Sequence, residues 1–114
     1  PNSIPRSLPM VKLVALYKKP ADVQAFEEHY ANVHLPLVEK MPGLRKTELG
    51  RMIGAPRGEA PYYMMYEMYF DDMEAYNKAM MSEENKAAGK DLMSFAKDIV
   101  TLMIADAYED EVRK

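Results

Sequence analysis

The 114-residue chain has no cysteine and no tryptophan. Without thiols there is no disulfide framework, no thiolate metal ligand and no cysteine nucleophile. No apolar run of about eighteen residues occurs, the least that reads as a membrane-spanning helix. The first residues also lack the basic-then-apolar pattern of a secretory leader, so the expectation is a cytoplasmic protein with no membrane partner. Charge of one sign is scarce as well. Fifteen Lys and Arg stand against 18 Asp and Glu, a net charge of -3. The basic residues are scattered, which argues against a nucleic-acid surface. Glycine-based signatures are missing too: there is no G-x-G-x-x-G after a strand, no Walker loop and no G-x-S-x-G. No cofactor is expected on that account, and no metal, since no Asp/Glu/His triad with ligand spacing stands out.

What the chain does have is material for a core. Hydrophobic residues make up 48% and charged residues 29%, ordinary globular proportions that exclude wholesale disorder. The length suits one domain. Such a domain buries around two-thirds of its unfolded surface. Eleven Met and eight Tyr point to an adaptable interior and to rings with polar tips. Residues 1–9 hold Pro1, Pro5 and Pro9 without periodicity, and read as a disordered arm or a scar of expression. Residues 10–108 read as the folded domain and 109–114 as a charged tail.

Within that domain, Met10–Tyr17 is apolar apart from Lys12 and predicts a buried strand. Val23, Phe26, Tyr30, Val33, Leu37 and Val38 recur at spacings of three and four, an amphipathic helix in which Pro36 starts a new turn. Pro42-Gly43 stops it. Residues 44–53 read as a second strand, 54–61 as a loop, and 62–70 as the strongest strand of the chain. Asp71 with Glu74 resembles a capping box, and Ser82 before Glu83 and Glu84 a second helix start. Val100–Ala107 is the fourth strand. The order β-α-β-β-α-β, with the second helix broken, defines an α+β ferredoxin-like unit with a four-stranded antiparallel sheet. In the third strand, Tyr62, Met64, Tyr66, Met68 and Phe70 alternate with Tyr63, Met65, Glu67 and Tyr69. Neither set is polar enough for an exposed sheet face, so a homodimer is expected to cover the free one.

His34 is the sharpest single residue. Four residues after Tyr30, it falls on or beside the apolar stripe, where an imidazole needs a partner. A general acid–base at a cavity mouth and a structural histidine bonded to backbone both suit it. His29, five residues earlier, should point about 140° away around an α-helix. Glu67 lies among aromatic and Met side chains and must be paired, hydrogen-bonded or protonated. It suits a partner or base beside His34, or an ion pair between elements. Tyr62, Tyr63, Tyr66 and Tyr69 suit a pocket for an aromatic ligand or a Tyr-rich dimer core, and Lys12 a pairing with an acid.

The runs Met10–Tyr17, Phe26-Glu27-Glu28-His29-Tyr30, His34-Leu35-Pro36-Leu37 and Met41-Pro42-Gly43-Leu44, with Tyr66–Ala75, resemble the EthD family, named for ethyl tert-butyl ether degradation. The resemblance spans residues 10–108. It implies a dimeric α+β barrel and a site at His34, the histidine that matches the family motif, but no single reaction. Oxidoreductase, cofactor-independent monooxygenase and isomerase activities all occur among such proteins. The expectation is therefore a protein that binds a small hydrophobic or aromatic metabolite of a degradative or biosynthetic pathway. His34 and Glu67 would be catalytic, and Tyr30, Tyr63 and Tyr69 would bind the ligand. The alternative is a non-catalytic accessory protein of an ether- or xenobiotic-degrading P450 system. A haem ligand is a third role open to His34.

Overall fold

The apolar run at the start of the domain becomes the centre of the sheet. In a computed structural model describing residues 9–109, strand β1 (Met10–Tyr17) lies between β3 (Met64–Phe70) and the edge strand β4 (Val100–Ala107), with β2 (Lys46–Arg51) on the far edge. All neighbours are antiparallel. Of the arm expected over residues 1–9 and the tail expected over 109–114, residues 1–8 and 110–114 lie outside the described residues. Helices α1 (Val23–His29), α2 (Leu35–Val38), α3 (Met73–Met80) and α4 (Glu83–Ala96) complete the expected order. The fold is the α+β, ferredoxin-like arrangement read from the sequence. Among the described residues no helix is long and apolar enough to cross a membrane.

Strand alternation decides what each face holds. Leu13, Ala15 and Tyr17 of β1, with Met64, Tyr66, Met68 and Phe70 of β3, join Phe26, Tyr30, Val38, Tyr76 and Leu92 of the helical layer in one buried cluster. The intervening residues face the other way. There Lys12 stands opposite Tyr69, Val14 opposite Glu67, and Glu67 opposite Glu48. The face carries a polar layer over apolar strands: Lys12 Nζ donates to Glu67 at 2.5 Å, Tyr69 Oη to Glu48 at 2.8 Å, and Lys46 Nζ lies 4.5 Å from the Tyr69 ring centre.

Two helix starts differ in how well they were legible. Ser82 caps α4 as expected, its hydroxyl accepting from the Asn85 amide at 3.1 Å. The cap of α3 is Asp72, not Asp71: the Asp72 carboxylate accepts from the Ala75 amide at 2.8 Å. Glu74 is then one position too early to close a capping box. Asp71 instead pairs at the surface with Arg45 at 3.3 Å.

The first helix is not uniformly α. Between α1 and α2 the chain makes a π-helical turn over Tyr30–His34, with the Leu35 amide bonded to the Tyr30 carbonyl. Pro36 supplies the physical reason. Its ring crowds the carbonyl four residues back and it has no N–H to offer. Opening the preceding turn to i→i+5 bonding relieves that conflict without ending the helix. Gly43, at φ 79°, then takes the left-handed backbone that ends the segment.

The caps make a direct test. Asp72→Ala should lower stability by about 1 kcal/mol, while Asp71→Ala, which breaks only an exposed ion pair, should change it by less than about 0.5 kcal/mol. Urea denaturation of both variants checks this, and equal losses would refute the assignment of the cap.

Candidate functional site

The π turn places the two histidines together. Five residues apart on an α-helix they would point in different directions, but i→i+5 winding brings both rings toward α4. There a single carboxylate meets them. His29 Nε2 lies 2.9 and 3.1 Å from the two Asp91 oxygens, and His34 Nδ1 lies 3.0 Å from Oδ2. Phe95, one turn further along α4, packs on both rings at centroid distances of 4.4 Å to His29 and 5.3 Å to His34. The two histidines differ in exposure: the His29 side chain is 33% exposed and that of His34 5%.

His34 also lines a cavity of about 470 Å³ between the helical layer and the sheet. Its walls include Ala15, Tyr17, Tyr66 and Met68 from the strands, and Val38, Met41, Tyr76, Asn85, Gly89 and Leu92 from the helical side. The wall residues that remain half-exposed are Met93 (46%), Leu102 (46%), Met103 (46%) and Ile104 (50%), so the cavity opens between α4 and β4. Among the described residues these walls hold no lysine, arginine, aspartate or glutamate. They therefore suit an uncharged ligand. They offer nothing to meet a porphyrin's carboxylates, so the residues present do not fit a haem.

Burial pushes the His34 pKa below its ordinary value of 6.5. The Asp91 bond and charge pull it the other way, and the charge of His29 adds to the lowering. The ring is thus neutral at pH 7. Facing a carboxylate through Nδ1, a neutral imidazole carries its proton there and leaves Nε2 as a lone pair. Nε2 has no protein partner among the described residues, and no buried side-chain nitrogen or oxygen is left unsatisfied there. Nε2 is consequently the nitrogen His34 presents to the cavity. The nearby tyrosines remain hydroxyl donors: burial pushes Tyr17 up to about 12 and raises Tyr30 and Tyr66.

The structure distributes the other candidates differently from the sequence expectation. Glu67 does not meet His34. It lies on the opposite face of the sheet, paired with Lys12, because its neighbours Tyr66 and Met68 take the cavity side. Tyr69 shares that far face and donates to Glu48. Tyr30 is buried beside His34 (ring centroids 5.3 Å) but its hydroxyl lies 3.4 Å from that of Tyr17, within the aromatic cluster. Tyr63 donates to Glu27, which Arg51 also holds through both carboxylate oxygens at 2.6 and 2.9 Å. Neither Tyr30 nor Tyr63 lines the cavity. The sequence reading missed Asp91, Tyr17, Tyr76 and Gly89. Asp91 sits one residue before the apolar Leu92, and only this acid on the inner side of α4 could have marked it.

A four-stranded antiparallel sheet with its helices is the ferredoxin-like α+β fold, and here it carries an apolar cavity lined in part by a histidine. The chain belongs to the EthD domain family, which matches residues 18–99. It is similar to an ethyl tert-butyl ether degradation family protein of Bacillus halodurans, with 54% identity, a TM-score of 0.81, and coverage of 84% of this chain and 96% of that one. It is 30% identical over 97 residues to an uncharacterised 11.0 kDa protein of the thcB-thcC intergenic region of Rhodococcus erythropolis, 85% of this chain and 94% of that protein. A dimeric ferredoxin-like protein of unknown function from Jannaschia, 14% identical, shares the fold at a TM-score of 0.64, covering 84% of this chain and 97% of its own.

The buried histidine gives a pH test. A folded-state pKa below the unfolded one means that, as pH falls below about 6.5, the unfolded chain takes up a proton first, so this contribution to stability is lost on acidification. NMR titration of the imidazoles should place His34 below 6.5, and Asp91→Asn, which removes the favourable charge, should lower it further. A His34 titrating above 6.5 would contradict the geometry.

Proposed function

We propose that this EthD-family protein binds a small, uncharged, apolar or aromatic molecule in the cavity between α4 and the sheet, and that His34 is the base that takes a proton from it. The observation that carries this reading is the Asp91–His34 contact at 3.0 Å with the other imidazole nitrogen turned to an apolar cavity. Asp91 fixes the ring and its tautomer, and would stabilise the imidazolium formed when Nε2 accepts a proton. His29 holds the second oxygen of Asp91 and so fixes the carboxylate in turn. Tyr66 and Tyr76 supply hydroxyls on the walls for an oxygen of the ligand. Removal of a proton from carbon is a first step open to both isomerase-like and cofactor-independent oxygenase-like chemistry. The activities implied by the family resemblance therefore meet at this one group. Glu67, Tyr30, Tyr63 and Tyr69 have no part in this reading.

The same reading includes a homodimer. The edge strand β4 exposes Leu102, Met103 and Ile104, and the sheet face away from the helices keeps Val14, Leu16 and Met65 beneath its polar layer. A second protomer would cover both features and narrow the mouth of the cavity.

His34→Asn separates chemistry from structure, since its amide nitrogen can still donate to Asp91 while the Nε2 lone pair is gone. Deuterium exchange at the carbon beside the carbonyl of an uncharged aryl ketone, followed by NMR, should be accelerated by the protein. The acceleration should fall by about 10²–10⁴ in His34→Asn. An unchanged rate in the variant would refute the role of His34. Ketone binding without accelerated exchange in the unsubstituted protein would favour the accessory reading instead. Light scattering at micromolar concentration should return twice the 13.1 kDa chain mass, and a stable monomer would end the dimer proposal.

A further inference from the structure

We infer that Gly89 sets the size limit of the cavity, making it the residue that decides how bulky a ligand the site admits. The inference rests on the cavity being a ligand site, and adds which wall residue measures the ligand. Gly89 stands in the interior of α4, with seven helical residues on either side of the Gly89–Lys90 pair's centre from Glu83 to Ala96. Glycine there destabilises a helix relative to alanine, because it loses the most backbone freedom on folding. A mid-helix glycine therefore calls for a compensating reason.

The usual reasons are missing. Gly89 does not take a positive φ; among the described residues only Gly43 and Gly58 do. It does not make room for a close backbone approach either, since a Cβ built on it meets nothing within 4 Å. By contrast, a Cβ at Gly43 would come to 3.8 Å from the Ala75 carbonyl oxygen. What Gly89 does face is the cavity, where it forms part of the wall with Asn85, Ala88 and Leu92 of the same helix. A Cβ at this position therefore meets open space in a stretch of helix that lines the cavity. The smallness of Gly89 keeps room on the α4 side of a cavity that Leu13, Ala15 and Met68 of the sheet also line.

The ligand chemistry follows from the walls. Apolar strands on one side and Ala88, Leu92 and Met93 of α4 on the other accept an apolar ring system. His34 Nε2 at one side accepts from a hydroxyl or polarised C–H. The absence of charged wall residues among those described requires the ligand to be neutral.

Naphthol, neutral, planar and carrying one hydroxyl, is a suitable probe, and its binding can be followed by fluorescence. Gly89→Ala should melt a few degrees higher than the unsubstituted protein, because alanine favours the helix and nothing obstructs its methyl group. It should bind naphthol severalfold more weakly. Gly89→Leu should lose about tenfold or more, while Ala87→Leu, which adds the same side chain on the exposed side of α4, should leave binding unchanged. Lowered stability in Gly89→Ala would overturn the inference by revealing a packing role. Undiminished naphthol binding in Gly89→Leu would overturn it too, yet leave the cavity as a ligand site. Failure of the unsubstituted protein to bind naphthol would overturn both.

Discussion

An imidazole inside a packed helical layer needs a hydrogen-bonding partner, and here two imidazoles share one. Asp91 receives His29 on one side and His34 on the other. The contact ties the π turn to α4 and gives the buried ring a defined tautomer. Remove the carboxylate and His34 faces a carbon wall with an unsatisfied N–H, which burial makes costly. The wide turn ahead of Pro36 is what allows the shared contact, because an α-turn would send the two rings apart. A backbone irregularity, a proline and an acid on another helix thus act as one unit. Phe95 packs against both rings of that unit.

The sheet keeps two polar networks from interfering with each other. On the helix side, the histidine–aspartate arrangement stands beside the cavity. On the other side, Lys12, Glu67, Glu48, Tyr69 and Lys46 satisfy one another over apolar strands. The Glu67 bond raises the Lys12 pKa, so the lysine stays charged and the pair stays intact. A one-residue slip in β3 would exchange the two sets and bring a carboxylate into the cavity in place of Tyr66. The separation is therefore enforced by the register of the central β1–β3 pair.

The cavity arises because the helical layer does not extend over the whole sheet. The α4 helix packs on α2 and α3 and leaves the β4 edge uncovered, so Leu102 and Ile104 stay half-exposed beside an apolar hollow. An ordinary core would fill this space with side chains. Gly89 and Ala88 on the facing wall do the opposite.

The sequence by itself determined the layout of elements and much of the core. Met10–Tyr17 and Val100–Ala107 form strands over the residues whose patterns announce them, and the alternation in β3 correctly separates Tyr66 and Met68 from Glu67 and Tyr69. His34 was legible as a residue needing an explanation, because helical phase is a local property. Its partner was not. Glu67 was the natural candidate on composition, but an acid on a strand belongs to one face only, and which face meets the helix is settled when the layers pack. Asp91 lies 57 residues from His34 and 62 from His29 in sequence. Periodicity carries no information about pairs so far apart. The π turn escaped for a related reason: the apolar spacing assumes α geometry, and the strain at Pro36 could be resolved by a break, a kink or a wider turn. Only the packing of α4 against that segment selected the wider turn, because it is the winding that lets both histidines reach one carboxylate.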